Sequence, residues 1–343
     1  MNNIDKCNLI ATIGEEINYQ NELLPLFESG KQIIVYDGFE PSGRMHIAQG
    51  LLRTINTNKF TKCGCKFKFW VADWFAQMNL KYGGDLNKIK KAGELMIEIW
   101  KACGMDLENV EFIWASDEIN KRSNEYWKLI LDISTRFNVN RIKKCSKIMG
   151  RDKEDDLMCS QLYYPVMQCA DIFFLKADIC SLGLDQRKVN MLAREYCDKV
   201  KIKHKPIIVS HHMILGLDGT KMSKGNPNNA IFMDDSEMEV NSKIKKAFCQ
   251  PGNIVVNPIL EYFKYIIFEL QPHVEVKRKE ENGGNITFGN YKDMEKDFEQ
   301  LLIHPDDLKQ CLKSLLNQYL LPVREYFKNN EHANKLMKQV KSF

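Results

Sequence analysis

The stretch from Ile33 to Gly50, IIVYDGFEPSGRMHIAQG, constrains this chain more than any other. Four apolar or aromatic residues, Ile33 to Tyr36, run into Asp37-Gly38 and then the turn formers Pro41, Ser42 and Gly43. Beyond them Ile47, Leu51 and Ile55 recur every four residues, the spacing of one helix face. The pattern predicts a strand, a tight turn, and a helix whose first turn carries His46. In an open α/β sheet the crevice beyond the carboxyl end of such a strand binds ligands. The helix start adds unpaired N–H groups that suit an anion. Neither G-x-G-x-x-G nor G-x-x-x-x-G-K-[ST] is present, so the junction is not a dinucleotide fingerprint or a Walker loop. An ordinary βα junction would read the same way.

The following segments extend the βα rhythm. Lys59 to Lys66 reads as a basic loop, Phe67 to Asp73 as a second strand and Val110 to Trp114 as a third. Between them Asp85 opens an amphipathic helix with Leu86, Ile89, Gly93, Met96 and Trp100 on one stripe, closed near Gly104. Such alternation predicts a parallel sheet covered by helices. From about 116 to 161 helical patterns take over and read as an insertion between two halves of a nucleotide-binding sheet. Ser160 to Asp171 then predicts a helix, Ile172 to Leu175 a short buried strand, Asp185 to Lys199 a helix, and Pro206 to Val209 the last strand. His211 to Gly225 is a Gly-rich loop containing Lys221-Met222-Ser223-Lys224-Gly225.

Past residue 231 the character changes. Glu237 to Phe248 predicts a helix with Lys243, Lys245 and Lys246 at exposed positions, and Asn257 to Leu270 an aromatic-rich one. An extended pair is expected around Asn282-Gly283-Gly284, and a Leu-rich helical hairpin over Asp306 to Phe327. The expected architecture is therefore α/β: a Rossmann-like parallel-sheet nucleotide-binding domain over 1–231 with a helical insertion, then a mainly α-helical domain over 232–343.

Composition sets outer limits. The 343 residues, 44% hydrophobic and 27% charged, suit a globular protein of two domains. Forty-nine basic against 45 acidic residues give a net charge of +4, so a nucleic-acid partner depends on local clustering. No run of 18 apolar residues occurs, and MNNIDKCNLI lacks a basic region followed by an apolar run, so neither a membrane span nor a signal peptide is expected. Asp5, Glu15 and Glu16 argue against a transit peptide. The eleven cysteines are scattered, and Cys63-Gly64-Cys65 is too tight for a zinc knuckle. Reduced, buried thiols in a cytoplasmic protein are expected, with no metal site.

Four segments together carry a resemblance: GFEPSG, His46-Ile47-Ala48-Gln49, GLDQRKVNMLARE at 183–195, and KMSKG at 221–225. They resemble the class I aminoacyl-tRNA synthetases, specifically the archaeal and eukaryotic tyrosyl-tRNA synthetases, over nearly the whole chain. HIAQ stands where the family's H-I-G-H signature falls, and KMSKG stands for its K-M-S-K-S loop. Ala48, Gln49 and Gly225 depart from the signatures. The resemblance implies two reactions: tyrosine and ATP, with Mg²⁺ held mainly by the phosphates, give tyrosyl-adenylate and pyrophosphate, and tyrosine then passes to the terminal ribose of tRNA-Tyr. It also implies a homodimer, formed largely by the insertion. The extra C-terminal modules of some animal relatives are not expected here.

Residue by residue, the resemblance implies that His46, Gln49, Lys221 and Lys224 serve catalysis by meeting the phosphates. Gly38, Ser42, Ala48, Gly183, Asp185, Met222 and Ser223 would complete the ATP site, Asp185 on the ribose hydroxyls and Gly183 permitting close approach. A K-x-x-K turn can equally be a solvated loop. Tyr164, Gln168 and Asp171 lie at i, i+4 and i+7, so they share one helix face, a polar face on an otherwise apolar segment. By resemblance Asp171 and Tyr36 receive the substrate phenol, and Tyr164, Gln168 and Gln186 its amino group. Asp171 could otherwise cap the next segment or pair with an arginine. Trp70 and Phe75 are expected to pack the tyrosine ring, and would serve equally as core. A pocket built to bind a hydroxyl rejects an analogue lacking it, and this enzyme family is itself the usual illustration.

For tRNA, Arg141 to Lys147, Lys199 to Lys205 and Lys243 to Lys246 are candidate phosphate contacts. His304-Pro305-Asp306-Asp307 resembles the family's anticodon segment, with Asp307 matching the residue that reads the first anticodon base and Asn282 beside it. A fold that kept its RNA and lost its chemistry, or a small-molecule nucleotidyltransferase, are the competing classes.

Overall fold

The computed structural model describes residues 1–145, 148, 157–222 and 226–343 of the chain. Asn2 caps α1 (Asn3–Ala11) and takes part in a capping box with Asp5. Next come β1 (Gly14–Asn18) and α2 (Leu23–Glu28), then β2 (Ile34–Phe39). The turn that follows ends in a π-helical turn over Ala48–Leu52, which runs into α3 (Arg53–Lys62). β3 (Lys66–Val71), α4 (Asp73–Met78), α5 (Leu86–Ala102) and β4 (Val110–Trp114) complete the first half. Asp85 caps α5 by accepting from Asn87 N and Lys88 N, and Ile89, Gly93, Met96 and Trp100 are its buried stripe.

The insertion holds α6 (Ala115–Lys121), α7 (Ser123–Arg136) and α8 (Val139–Lys143). After it come α9 (Cys159–Phe174), β5 (Ile179–Gly183), α10 (Arg187–Val200) and β6 (Ile207–His211). Across the sheet the order is β1, β6, β5, β2, β3, β4, with β1 antiparallel and the others parallel. Consecutive strands spread outward from β2 on one side and from β5 on the other. The junction between β2 and β5 is therefore the topological switch point, where an open sheet leaves a crevice.

The last third is mainly helical: α11 (Glu237–Lys246), α12 (Pro258–Tyr262) continuing through a π turn into α13 (Phe268–Leu270), then the hairpin β7 (Val274–Val276) and β8 (Ile286–Phe288). It ends with α14 (Tyr291–Glu299), α15 (Pro305–Asn329) and α16 (Glu331–Lys341). One apolar core joins this region to the α3–α5 face of the sheet, while a second core fills the opposite face with α7, α9 and α10.

Several expectations need correction. Ile172 to Leu175 is not a strand: α9 carries on to Phe174 and stops where Lys176 turns left-handed, φ 56°. The real strand is β5, five fully buried residues. A short apolar run has no period to separate helix from strand. Lys59 and Lys62 sit on the last turn of α3, where cations face the negative helix end, rather than in a loop. Asp306 to Phe327 is part of one helix, not a hairpin; it runs through Pro322 because Leu316, Leu320, Val323 and Phe327 bury a continuous row on both sides. Lys243 is not exposed either: its Nζ lies 2.6 Å from Asp235 Oδ2 and it donates to Ala230 O at 3.0 Å. The α11 helix also ends at Lys246, two residues early. Among the unanticipated elements are β1, α4, α14 and α16.

Candidate active site

A cleft of about 530 Å³ opens at the switch point. Its deep end is walled by the Tyr36 and Trp70 rings and one acid, Asp171, with Tyr126 behind that acid. Tyr36 from β2, Trp70 from β3, and Tyr126 from α7 are each at most 1% exposed, and Asp171 from α9 is fully buried. Tyr126 OH donates to Asp171 Oδ1 at 2.8 Å, while Asp171 Oδ2 has no hydrogen-bond partner among the described residues. Trp70 Nε1 leans toward the same carboxyl without completing a bond. Burial drives the Asp171 carboxyl well above the usual carboxylate range, and likewise lifts the Tyr36 and Tyr126 phenols. Gly38 lies against this end: a Cβ there would stand 3.2 Å from Tyr36 OH.

Two turns earlier on α9, Tyr164 OH donates to Glu40 Oε1 at 2.7 Å, and Phe75 meets the Tyr164 ring edge-on, centroids 4.9 Å apart. Asn79 also donates to Glu40, and Lys81 Nζ lies 3.5 Å from its Oε2. Gln168 Nε2 donates to Gln186 Oε1 at 3.1 Å. The middle of the cleft thus gathers one carboxylate, one phenol, three amides and one lysine.

The outer end is organised by backbone. His46 pairs antiparallel with Phe232, flanked by Ile47 N–H to Ile231 O at 2.8 Å and Met233 N–H to Met45 O at 2.9 Å. Gly50 is required at this seam, because a Cβ would fall 2.3 Å from Met233 Sδ. Arg44 fastens the same turn to Asp234 (2.8 Å) and Asp235 (2.9 Å), and Lys341 of α16 joins Asp234 at 2.7 Å. His46 Nδ1 accepts from Gln49 N–H at 3.4 Å. Asp37 and Arg53 form an ion pair beneath, Nε to Oδ2 3.0 Å. Burial raises the Asp37 pKa to about 6 against the pull of Arg53, and burial together with Arg53 lowers that of His211 to about 4.

Lys221 reaches the cleft from a hairpin. Leu215 bridges antiparallel to Lys221, and buried Asn229 closes the hairpin by accepting from Asp218 N–H and donating to Lys221 O. Gly183, at the end of β5, leaves space beside two exposed side chains: a Cβ would stand 2.7 Å from Asp185 Oδ1 and 2.9 Å from Met213 Sδ, and both would have to shift.

The family described as tRNA synthetases class I (W and Y) matches residues 28–320. Tyrosine--tRNA ligase 1, cytoplasmic, of Arabidopsis thaliana is 54% identical over 337 residues, 98% of this chain and 88% of that one. Tyrosine--tRNA ligase 2, cytoplasmic, of the same plant is 53% identical over 98% of this chain, but only 45% of its own length is covered. Leishmania major tyrosyl-tRNA synthetase in complex with tyrosinol superposes with a TM-score of 0.93 at 46% identity, over 100% of this chain and 52% of that chain. Tyrosyl-tRNA synthetase complexed with L-tyrosine from Pyrococcus horikoshii does so with 0.91 at 32% identity, over 99% and 100%. The chain belongs to the tyrosyl-tRNA synthetase family. It is of the archaeal and eukaryotic class I type, and it spans about half the length of two of these relatives.

Within this family member the cleft brings together Tyr36, Gly38, Ser42, His46, Ala48, Gln49, Trp70, Phe75, Tyr164, Gln168, Asp171, Gly183, Asp185, Gln186, Lys221 and Met222. Ser223, Lys224 and Gly225 lie outside the described residues, as do Ser146 and Lys147 of the basic segment. Asn282 and Asp307 stand apart from the cleft, on the β7–β8 turn and the first turn of α15. Arg278 ties these two places together, donating to Gly284 O and to Leu302 O. Sequence reasoning missed Tyr126, Glu40, Asp37, Arg53, His211 and His212. Tyr126 sits on an apolar stripe with Ile130 and Ile133 and reads as core, and Glu40 reads as an ordinary turn acid. Two histidines in a row after a strand were the one legible signal. Among the described residues, no group of three or more His, Cys, Asp or Glu could hold a metal ion, and no helix is long and apolar enough to cross a membrane.

Proposed function

We propose that this chain is a cytoplasmic tyrosine–tRNA ligase whose 1–231 region does the chemistry and whose 232–343 region meets the anticodon. The observation that carries the reading is the buried Tyr36–Tyr126–Asp171 end, which opens directly toward the phosphate-facing His46 and Lys221. A substrate phenol seated there supplies the partner that Asp171 Oδ2 lacks, with Tyr36 OH beside it. Trp70 and Phe75 flank the ring. The substrate ammonium meets Tyr164, Gln168 and Gln186, and the Glu40 carboxylate adds the charge that amides cannot.

In the first step a tyrosine carboxylate oxygen attacks the α-phosphorus of ATP, the bond to the bridging oxygen breaks, and pyrophosphate leaves with that electron pair. No covalent protein nucleophile is needed; positioning and charge neutralisation suffice. With Nδ1 of His46 accepting from Gln49 N–H, its proton sits on Nε2, which makes the ring a donor to phosphate oxygens. Lys221 supplies positive charge from the hairpin, joined by Lys224 and Ser223 in the family's signature. Gly38, Ser42, Ala48, Gln49 and Met222 enclose the nucleotide, Asp185 accepts from its ribose, and Gly183 leaves room for it. Mg²⁺ enters with the triphosphate. In the second step the terminal ribose hydroxyl of tRNA-Tyr attacks the tyrosyl carbonyl and AMP departs.

Partners follow from two surfaces. Trp127 and Leu131 on α7, Val139 on α8 and Tyr163 on α9 are exposed apolar side chains, 48–64% accessible, in and beside the insertion. Such a patch supports a homodimer through that face. Asp307 and Asn282 are the anticodon-reading candidates. The cytoplasmic assignment rests on the Arabidopsis relatives.

The test is amino-acid-dependent ATP–pyrophosphate exchange with tyrosine, tryptophan and phenylalanine in parallel. Exchange with tyrosine alone is expected. Exchange with tryptophan overturns the pocket assignment, and none in folded protein overturns the enzyme.

A further inference from the structure

The helical region meets the outer end of the cleft through side chains that lie far from both signature motifs in sequence. Glu261, in the first turn of α12, uses both carboxylate oxygens: Oε2 accepts from Leu215 N–H at 2.7 Å, and Oε1 lies 3.2 Å from His212 Nε2. Leu215 is the strand partner of Lys221, so the first contact fixes the arm opposite the cation that reaches the cleft. His212 is itself a wall of the cleft. Its other ring nitrogen lies 2.9 Å from Glu15 Oε2, and the ring stacks on Tyr265 with centroids 4.3 Å apart and planes 12° from parallel. His212 is thereby held on three sides, by β1, α12 and the π turn after it. Burial disfavours a charge on this ring, but Glu261 and then Glu15 outweigh it and raise its pKa. A second tie, Phe248 N–H to Leu217 O at 2.7 Å, holds the same hairpin from the end of α11.

We propose that Glu261 is a positioning residue for ATP: it sets the Lys221 hairpin and the His212 wall in register from within the helical region. It does not touch the reacting atoms and acts only through Leu215 and His212. The phenol end takes its walls from β2, β3, α4 and α9 instead. Loss of Glu261 therefore changes how ATP is held and leaves tyrosine recognition alone. A half-buried backbone N–H without its acceptor would shift to find another, and the hairpin would move with it. The inference rests on the reading of the cleft as a tyrosine and ATP site.

The experiment compares wild type, Glu261→Ala and Glu261→Gln as full chains in tyrosine-dependent ATP–pyrophosphate exchange. Glu261→Ala is expected to raise KM for ATP about tenfold, roughly one hydrogen bond to a charged group, with KM for tyrosine within twofold. Glu261→Gln keeps an amide oxygen for Leu215 N–H and is expected to recover most of that loss. An ATP KM that stays within twofold, a parallel rise in both KM values, or a Gln variant no better than Ala overturns the assignment. Calorimetric titration with ATP reads the same difference without turnover. Absence of exchange in the wild type would then count against the enzymatic reading, and the titration would still decide the role of Glu261.

Discussion

At the phenol end of the cleft Tyr36, Trp70, Tyr126 and Asp171 are almost wholly inaccessible, whereas at the phosphate end Lys221 and Asp185 are exposed and His46 and Gln49 half-buried. On the proposed reading the difference follows from two tasks, recognising a phenol and holding phosphates. A buried polar atom left without a partner costs about 1–3 kcal/mol, so a dry pocket ending in Asp171 favours the one side chain that completes it. Exposed cations are screened by water and salt and discriminate little, but they can neutralise phosphate charge as it develops. Selectivity is placed where water is excluded, and charge where the ligand is highly charged already.

The strongest way to break this contrast is at Asp171. Replacing it with Ala should lower kcat/KM for tyrosine about 10²-fold, the loss of a buried hydrogen bond plus the stranding of Tyr126 OH. Phenylalanine should be affected far less, so the ratio of the two exchange rates collapses. Equal losses for both amino acids would show that Asp171 only supports the fold.

The boundary between the two ends can be sharpened by pH. Asp37 has a folded pKa of about 6, above its ordinary 3.8, so the folded state keeps a proton that the unfolded chain has lost. Its contribution makes stability fall as pH rises from about 4 to 6. His211 has a folded pKa of about 4, below 6.5, so the unfolded chain binds the extra proton and stability rises over about 4 to 6.5. The two oppose each other under the cleft floor. Denaturant unfolding at pH 4.5 and 6.5 should show the stability difference shifting by about 2 kcal/mol in opposite directions for Asp37→Asn and His211→Asn. Asp171, shifted upward like Asp37, adds the same background slope to both variants. Shifts of the same sign would refute the opposition.

The smallest effect belongs to the exposed end. Lys221→Ala should reduce the exchange rate constant about tenfold while KM for tyrosine stays within twofold, and added salt should narrow the gap from wild type. A tyrosine KM that rises with it would mean the two ends are not separable.

Legibility in the sequence followed distance along the chain. The βα junction at Ile33–Gly50 and the Asp85-capped α5 are local: their strand, turn and cap chemistry is decided by neighbours a few residues away. The i, i+4, i+7 face of α9 was equally readable, and it does line the cleft with Tyr164, Gln168 and Asp171. Where burial overrode local preference, reading failed. Pro322 suggests a break in α15, yet an uninterrupted row of buried leucines and Phe327 holds one helix. Ile172–Leu175 has strand composition, yet completes a helix whose end is set by the left-handed Lys176.

The sequence alone determined that a nucleotide-type sheet would carry a histidine at a helix start and a lysine-bearing Gly-rich loop late in the same unit. Spacing and turn chemistry act over a few residues and need no fold to be seen. Only the tertiary structure decided that Tyr126 would meet Asp171, 45 positions apart, that Glu40 would face Tyr164, and that Glu261 would brace the Lys221 hairpin from another region. Those contacts depend on strand order and on which helix face the core buries, and both are set by packing summed over the whole chain.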